Sequence, residues 1–349
     1  MPKTYKHLYE QVTGFSALLA AYERARKGKR YRPDVLEFSA RLGENLLGLQ
    51  HELRSMAWRP GAYRTLVVQE KKRRQIHIAP FRDRVVHQAL CAVFAPLFEE
   101  TFISDSYACR LGKGTHAALD RLTAFLRKSD AAFVLSGDFS QFFSSIPHGL
   151  VMREVEWRIM DARMIETLER VLASFESEFR GNDGFAPRGL PIGNLTSQWF
   201  ANMVGNCLDQ HVKHELKCKR YIRYMDNWLL LSDSKEELRG WLGEIERLSA
   251  EIGLVINPKT QIIKTADGVP FLGFRVWSDH RKVLRENVTR GRRRLRAQLR
   301  QVAAGTKAPE VAMEELRSWF AHLEHGDTYR LRRSLWQTAK PTLGGATCS

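Results

Sequence analysis

Tyr221-Ile222-Arg223-Tyr224-Met225-Asp226-Asn227-Trp228-Leu229-Leu230-Leu231 sets aromatic and aliphatic runs on both sides of one polar pair. The pattern predicts a β-hairpin with Asp226 at its turn. Upstream, Phe133-Val134-Leu135 is a second strand-like apolar run, ending at Asp138. A strand buries its apolar residues and leaves a terminal carboxylate at the rim of the sheet. Two such carboxylates on adjacent strands can hold Mg²⁺, which takes hard oxygen ligands. Two ions about 4 Å apart serve phosphoryl transfer by activating one oxygen and stabilising another. Spacing alone is weak support, because a chain with 39 acidic residues contains many carboxylates.

The flanking sequence builds a framework around these acids. A helix is expected from Ser234, where Glu237 completes a capping box. Its apolar face is Leu238, Trp241, Leu242, Ile245, Leu248 and Ile252, and Gly253 stops it. Strands are expected at Leu254–Ile256, at Thr260–Ile263, and across Pro270–Trp277 with a central glycine. Residues 83–98 read as a helix, and a strand pair at Thr65–Val68 and Gln75–Ile78 flanks a basic turn at 70–74. The first 60 residues are helical by the spacing of Phe15, Leu18, Leu19 and Tyr22, and of Leu42, Leu46, Leu47, Leu49 and Leu53. Beyond residue 285 the chain is helical and very basic. The mixture indicates an α+β core with helical additions at both ends.

Composition narrows the function classes. The chain has 349 residues, 44% hydrophobic and 27% charged, which suits packed globular units and argues against long disorder. No apolar run nears the roughly 20 residues that span a bilayer, and no signal peptide stands at the N-terminus. A cytoplasmic protein is expected, with Cys91, Cys109, Cys207, Cys218 and Cys348 reduced. The formal charge is +16, from 55 Lys and Arg against 39 Asp and Glu, which points to a polyanionic partner; nucleic acid is the first candidate, and a membrane surface is the weaker one because no strongly amphipathic Lys-rich anchor helix stands out. The basic residues are clustered: six between Arg24 and Arg32, the run Lys71-Lys72-Arg73-Arg74, and seven Arg between Arg285 and Arg300. One such run is usually a solvated face; three separated runs are better explained by a groove for nucleic acid.

The order of the motifs resembles a known family. Asp138-Phe139-Ser140-Gln141-Phe142-Phe143, then Gly189-Leu190-Pro191-Ile192-Gly193-Asn194-Leu195-Thr196-Ser197-Gln198, then Tyr224-Met225-Asp226-Asn227, then Phe271-Leu272-Gly273-Phe274 resemble the palm motifs of reverse transcriptases. Arg74-Gln75-Ile76, residues 83–90 and Ser106-Tyr107-Ala108-Cys109-Arg110 resemble the fingers motifs of the bacterial, group II intron-like branch. Ser197-Gln198 and the stretch 106–116 are similar to members found in diversity-generating retroelements. The resemblance covers roughly residues 60–335.

What the resemblance implies is specific. The fold would be a right-hand polymerase: a helical extension at 1–60, fingers at 61–130, a palm at 131–284 with a fingers insertion around 150–185, and a thumb at 285–349. Asp138, Asp226 and the Phe139 carbonyl would hold two Mg²⁺, with Mn²⁺ as a substitute. Lys72 and Arg74 would hold the dNTP triphosphate, Phe143 would exclude a 2′-hydroxyl, and Lys259 would protonate the pyrophosphate. Ile192, Gly193 and Gln198 would line the nucleotide site. An aliphatic Ile192 donates no hydrogen bond, which implies reduced fidelity. Phe271, Leu272 and Gly273 would grip the primer, and Arg290, Arg292, Arg293, Arg294 and Arg296 would track the nucleic-acid backbone. The partners would be a structured noncoding template RNA, the DNA product, dNTPs and a small basic accessory protein.

One position departs from the pattern. The family usually ends the metal motif with two aspartates, and here the second is Asn227. The site loses one negative charge and some affinity for Mg²⁺. Two readings follow from this position: a working enzyme, or a weakened RNA-binding subunit. For a working enzyme the setting is a diversity-generating retroelement or, alternatively, antiphage defence copying a dedicated noncoding RNA. Gly112-Lys113-Gly114-Thr115 reads as a turn before a helix, because Tyr107 stands where a phosphate loop needs glycine. His211 and His214, like His322 and His325, lack ligand partners at zinc spacing. Trp319, Phe320 and Trp336 read as thumb core.

Overall fold

The computed structural model describes residues 3–69, 73–128, 131–179 and 187–343. In chain order the elements begin with α1 (Tyr9–Thr13), α2 (Phe15–Arg26), α3 (Pro33–Ala40), α4 (Leu42–Arg54), β1 (Arg64–Gln69), β2 (Arg73–Ile78) and α5 (Phe81–Glu99). There follow α6 (Thr115–Lys128), β3 (Phe133–Gly137), α7 (Phe142–Ser145), α8 (His148–Arg158), α9 (Ala162–Ala173), α10 (Leu195–His214), β4 (Tyr221–Tyr224) and β5 (Asn227–Ser232). The last are α11 (Lys235–Glu251), β6 (Gln261–Lys264), β7 (Val269–Phe271), β8 (Phe274–Val276), β9 (Arg281–Val283), α12 (Arg285–Ala303), α13 (Pro309–Leu323) and α14 (Tyr329–Leu343). The architecture is α+β with antiparallel pairing, as expected.

Two compact units divide the chain. The first comprises residues 1–112, 137–228 and 239–260; the second comprises 113–136, 229–238 and 261–349. β4, β5, β3 and β6 are hydrogen-bonded neighbours in that order. In the first unit the N-terminal helices cover α5. Leu18, Tyr22, Val35, Leu46, Leu49 and Leu53 are buried, and the Phe38 ring meets Phe81 edge-on at 5.2 Å. Phe15, Leu19 and Leu47 share the helical spacing but are exposed. Asp161 ties this region down. Its carboxylate accepts from the Leu8 and Tyr9 amides at 2.7 and 2.9 Å and caps α9 through the Met164 amide at 3.2 Å. β1 and β2 form the expected strand pair, antiparallel with Thr65 opposite His77.

The second unit holds the three-helix region α12–α14. Its core is Leu295, Ala312, Met313, Leu316, Leu323, Leu335, Ala339 and Leu343, with Trp319, Phe320 and Trp336 packed against it. Three local expectations are corrected. Residues 270–277 are not one strand: Leu272 (φ 46°) and Gly273 (φ 91°) form a two-residue turn pairing Phe271 with Phe274. Two left-handed residues give a turn whose twist matches a hairpin, and glycine takes the second at no steric cost. Residues 254–256 make only an isolated bridge, Ile256 to Phe139, because Asn257 turns the chain by accepting from the Thr260 amide at 2.9 Å. The capping box is half formed: Ser234 Oγ accepts from the Glu237 amide at 3.2 Å, whereas the Glu237 carboxylate takes the Ser232 hydroxyl. The segment 112–115 is a turn before α6, with Gly112 and Gly114 at positive φ.

Candidate active site

Asp138 and Asp226 are both half-buried in the first unit, Asp138 just after β3 and Asp226 just before the neighbouring β5. Burial pushes the Asp226 carboxyl above the usual carboxylate range, and the Asp138 charge pushes the same way. Hydrogen bonds from its own backbone and from Asn227, and the Arg74 charge, oppose that shift. The fold therefore brings Asp138, Asp226, Asn227 and Arg74 into one electrostatic neighbourhood.

The main chain orients this group. Asp138 O accepts from the Asn257 amide at 2.9 Å, and the Ser140 amide donates to Val255 O at 2.7 Å. Alternation of an extended chain turns the intervening Phe139 carbonyl to the opposite side. The Phe139 ring is buried and stacks on Phe142 at 5.3 Å, so only its backbone can serve a site. Asn257 also donates from Nδ2 to Asp138 Oδ2 at 3.1 Å. Its Oδ1 accepts from the Lys259 amide at 3.0 Å, which anchors that residue while its side chain stays exposed.

The 189–198 stretch closes on the same unit. Ile192 O accepts from the His77 amide at 2.9 Å, fastening this loop to β2. Gly193 (φ 119°) lies against that contact; a Cβ there would come within 3.2 Å of His77 O. Phe143, half-buried, accepts through its carbonyl from the Leu190 amide at 2.7 Å. Gln198 sits half-buried in the first turn of α10. Lys72 lies outside the described residues. Phe271, Leu272, Gly273 and the α12 arginines belong to the second unit, where Gly273 O accepts from Asn287 Nδ2 at 3.1 Å. Arg290, Arg292, Arg293, Arg294 and Arg296 are exposed on α12.

Sequence reading missed one cluster beneath the turn. Arg223 and Asp209 are both fully buried and form a two-pronged ion pair, Nε to Oδ1 at 2.7 Å and Nη2 to Oδ2 at 2.8 Å. The available signal was an arginine inside the apolar run Tyr221–Tyr224. Its partners come from α10 and from residues 105–107, too distant in sequence to be paired with it by pattern.

A donor set of two carboxylates, a peptide carbonyl and an amide oxygen suits a hard divalent cation. Both acids are half-buried at the ends of neighbouring strands, and a cation between them would offset the burial and mutual repulsion that raise the Asp226 carboxyl. Residues 65–276, more than half of the chain, match the family model for reverse transcriptase (RNA-dependent DNA polymerase). The chain belongs to the reverse transcriptase family. Among the family relatives it matches, Protein YkfC of Escherichia coli is 27% identical over 284 residues, spanning 68% of this chain and 72% of YkfC. Group II intron-encoded protein LtrA of Lactococcus lactis is 25% identical over 150 residues, 43% of this chain and 24% of LtrA. A solved telomerase from Candida tropicalis aligns at 11% identity with a TM-score of 0.48, covering 69% of this chain and 60% of that one. No helix among the described residues is long and apolar enough to cross a membrane.

Proposed function

We propose that this reverse transcriptase copies RNA into DNA at the Asp138–Asp226 site, within a fingers (61–130), palm (131–284) and thumb (285–349) arrangement. The observation that carries the reading is the convergence of Asp226, Asp138 and Arg74 in one unit. Asp138, Asp226 and the Phe139 carbonyl would hold Mg²⁺. The ions would supply activation of the primer 3′-oxygen and charge neutralisation on the departing pyrophosphate. Arg74 offers a planar fork to the triphosphate. Lys259, exposed on an anchored backbone, is the donor of a proton to the pyrophosphate. Phe143 stands against the sugar 2′ position and favours dNTPs over rNTPs. Ser197-Gln198 and residues 106–116 support a diversity-generating retroelement as the biological setting, with a structured template RNA, a small basic accessory protein and low fidelity through Ile192.

Asn227 supports a second reading, an RNA-binding subunit with a disabled site. Incorporation of dNTPs on a primed RNA template with Mg²⁺ separates the two. Incorporation by the wild type that disappears in Asp138→Ala supports the polymerase. Incorporation only in Asn227→Asp supports the subunit.

A further inference from the structure

The strand β4 carries a charge where its neighbours are apolar, and the geometry accounts for it. Tyr221, Ile222 and Arg223 are all buried, Arg223 fully. Asp209 takes two of its guanidinium nitrogens and also accepts from the Tyr221 hydroxyl at 2.8 Å. Ser106 Oγ accepts from Nη2 at 3.2 Å, and the peptide of Arg223 is bridged on both sides, to Asp105 O at 2.9 Å and from the Tyr107 amide at 3.0 Å. Gly205 makes the space on α10; a Cβ there would stand 2.4 Å from Nη1.

A buried ion pair is seldom retained for stability, since apolar residues of similar volume often do as well. This one reaches beyond its carboxylate: Nη1 donates to the Met225 carbonyl at 2.9 Å. Met225 is left-handed (φ 57°), a conformation that L side chains resist, and it immediately precedes Asp226. The rigid fork of Arg223, clamped by Asp209, thus ends on the strained peptide that aims the Asp226 side chain.

We propose that Arg223 is a positioning residue for Asp226, acting by holding Met225 in its left-handed conformation. The proposal rests on the reading of Asp138 and Asp226 as cation ligands. Residues that orient metal ligands typically matter by about 10- to 100-fold in affinity or activity. A lysine at 223 keeps the charge opposite Asp209 but has no fork with which to reach Met225 as well.

The test measures Mn²⁺ binding to the full chain by electron paramagnetic resonance, alongside the unfolding midpoint and the kcat and KM for dNTP incorporation. Arg223→Lys is expected to weaken Mn²⁺ binding about 10-fold and to lower kcat with little change in KM. Adding Met225→Gly should restore most of the Mn²⁺ affinity, because glycine takes the left-handed turn unaided. Adding Met225→Ala, which removes the same side chain without freeing the backbone, should not. Met225→Val in the wild-type background provides a variant independent of the ion pair. Its β-branch opposes the left-handed turn, and Mn²⁺ binding should fall with only a small drop in the unfolding midpoint. Equal behaviour of the Gly and Ala double variants, or unchanged binding in Met225→Val, overturns the proposal. A wild type that binds no Mn²⁺ overturns the cation-site reading instead.

Discussion

Asn227 Nδ2 donates to Asp226 Oδ1 at 3.1 Å, so the residue that replaces a family carboxylate works as an orienting donor to the one beside it. Asn227→Asp would remove this donor and add a third negative charge next to Asp138 and Asp226. At an exposed position such as this one, such a charge is worth about 1 kcal/mol at 4 Å. The expected outcome is a roughly 5- to 10-fold lower Mg²⁺ concentration for half-maximal binding. Without divalent cations the variant should melt earlier than the wild type. A Mg²⁺ titration followed by calorimetry, with and without chelator, checks both signs.

His87 is buried in α5, and its pKa is lowered to about 4, first by burial and then by the Arg84 charge. The neutral ring suits the folded state, while the unfolded chain titrates near 6.5. Its contribution to stability is complete above pH 6.5 and fades as pH falls from there towards 4, up to about 3 kcal/mol. His87→Leu should flatten the denaturation free energy across that window. Urea unfolding at pH 7.5, 6, 5 and 4 measures the difference.

Asp161 accepts three backbone amides that belong to two separate stretches of chain, residues 8–9 and 164. Asp161→Ala leaves all three without that acceptor. The combined loss of a helix cap and two partly buried partners should cost about 2–3 kcal/mol. Asp161→Asn should recover part of it. Chemical denaturation with an unchanged m-value is the check.

The arginines of α12 divide by their partners. Arg290 donates to Asn287 Oδ1 at 2.9 Å, and Arg294 pairs with Glu315 at 3.3 Å. Arg292, Arg293 and Arg296 are exposed on the same helix. Converting these three to Gln should weaken binding to a primed RNA template. It should also lower the slope of log affinity against log salt by about 0.7 to 0.9 for each phosphate that is no longer neutralised. The unfolding midpoint should hold within about 1 °C, because exposed substitutions rarely move stability. Filter binding from low to high salt gives the slope.

Much of the architecture follows from local pattern. The helices before residue 55, the β1–β2 hairpin, the hairpin around Asp226 and the basic helix α12 stand where periodicity and charge place them. Each is a case in which one segment's own residues decide its conformation. Where expectation failed, the deciding partner was elsewhere or the signal was stereochemical. Leu272-Gly273 lies within a run of strand composition, and only left-handed backbone at both residues turns it. Residues 254–256 have strand composition too, but their pairing ends where Asn257 turns towards Asp138.

The amino-acid sequence by itself determined the element types, the excess of positive charge and the motif order that marks a reverse transcriptase. It also presented Asp138, Asp226 and the departure at Asn227. Only the tertiary structure decided which charges act on one another. The strand order β4-β5-β3-β6 makes the two acid-bearing segments neighbours although 88 positions separate 138 from 226. Folding also buries Asp209 beneath Arg223 and turns Arg223 onto the Met225 carbonyl. Conformation follows from near neighbours along the chain, whereas electrostatic coupling depends on distance and burial, which no local pattern encodes.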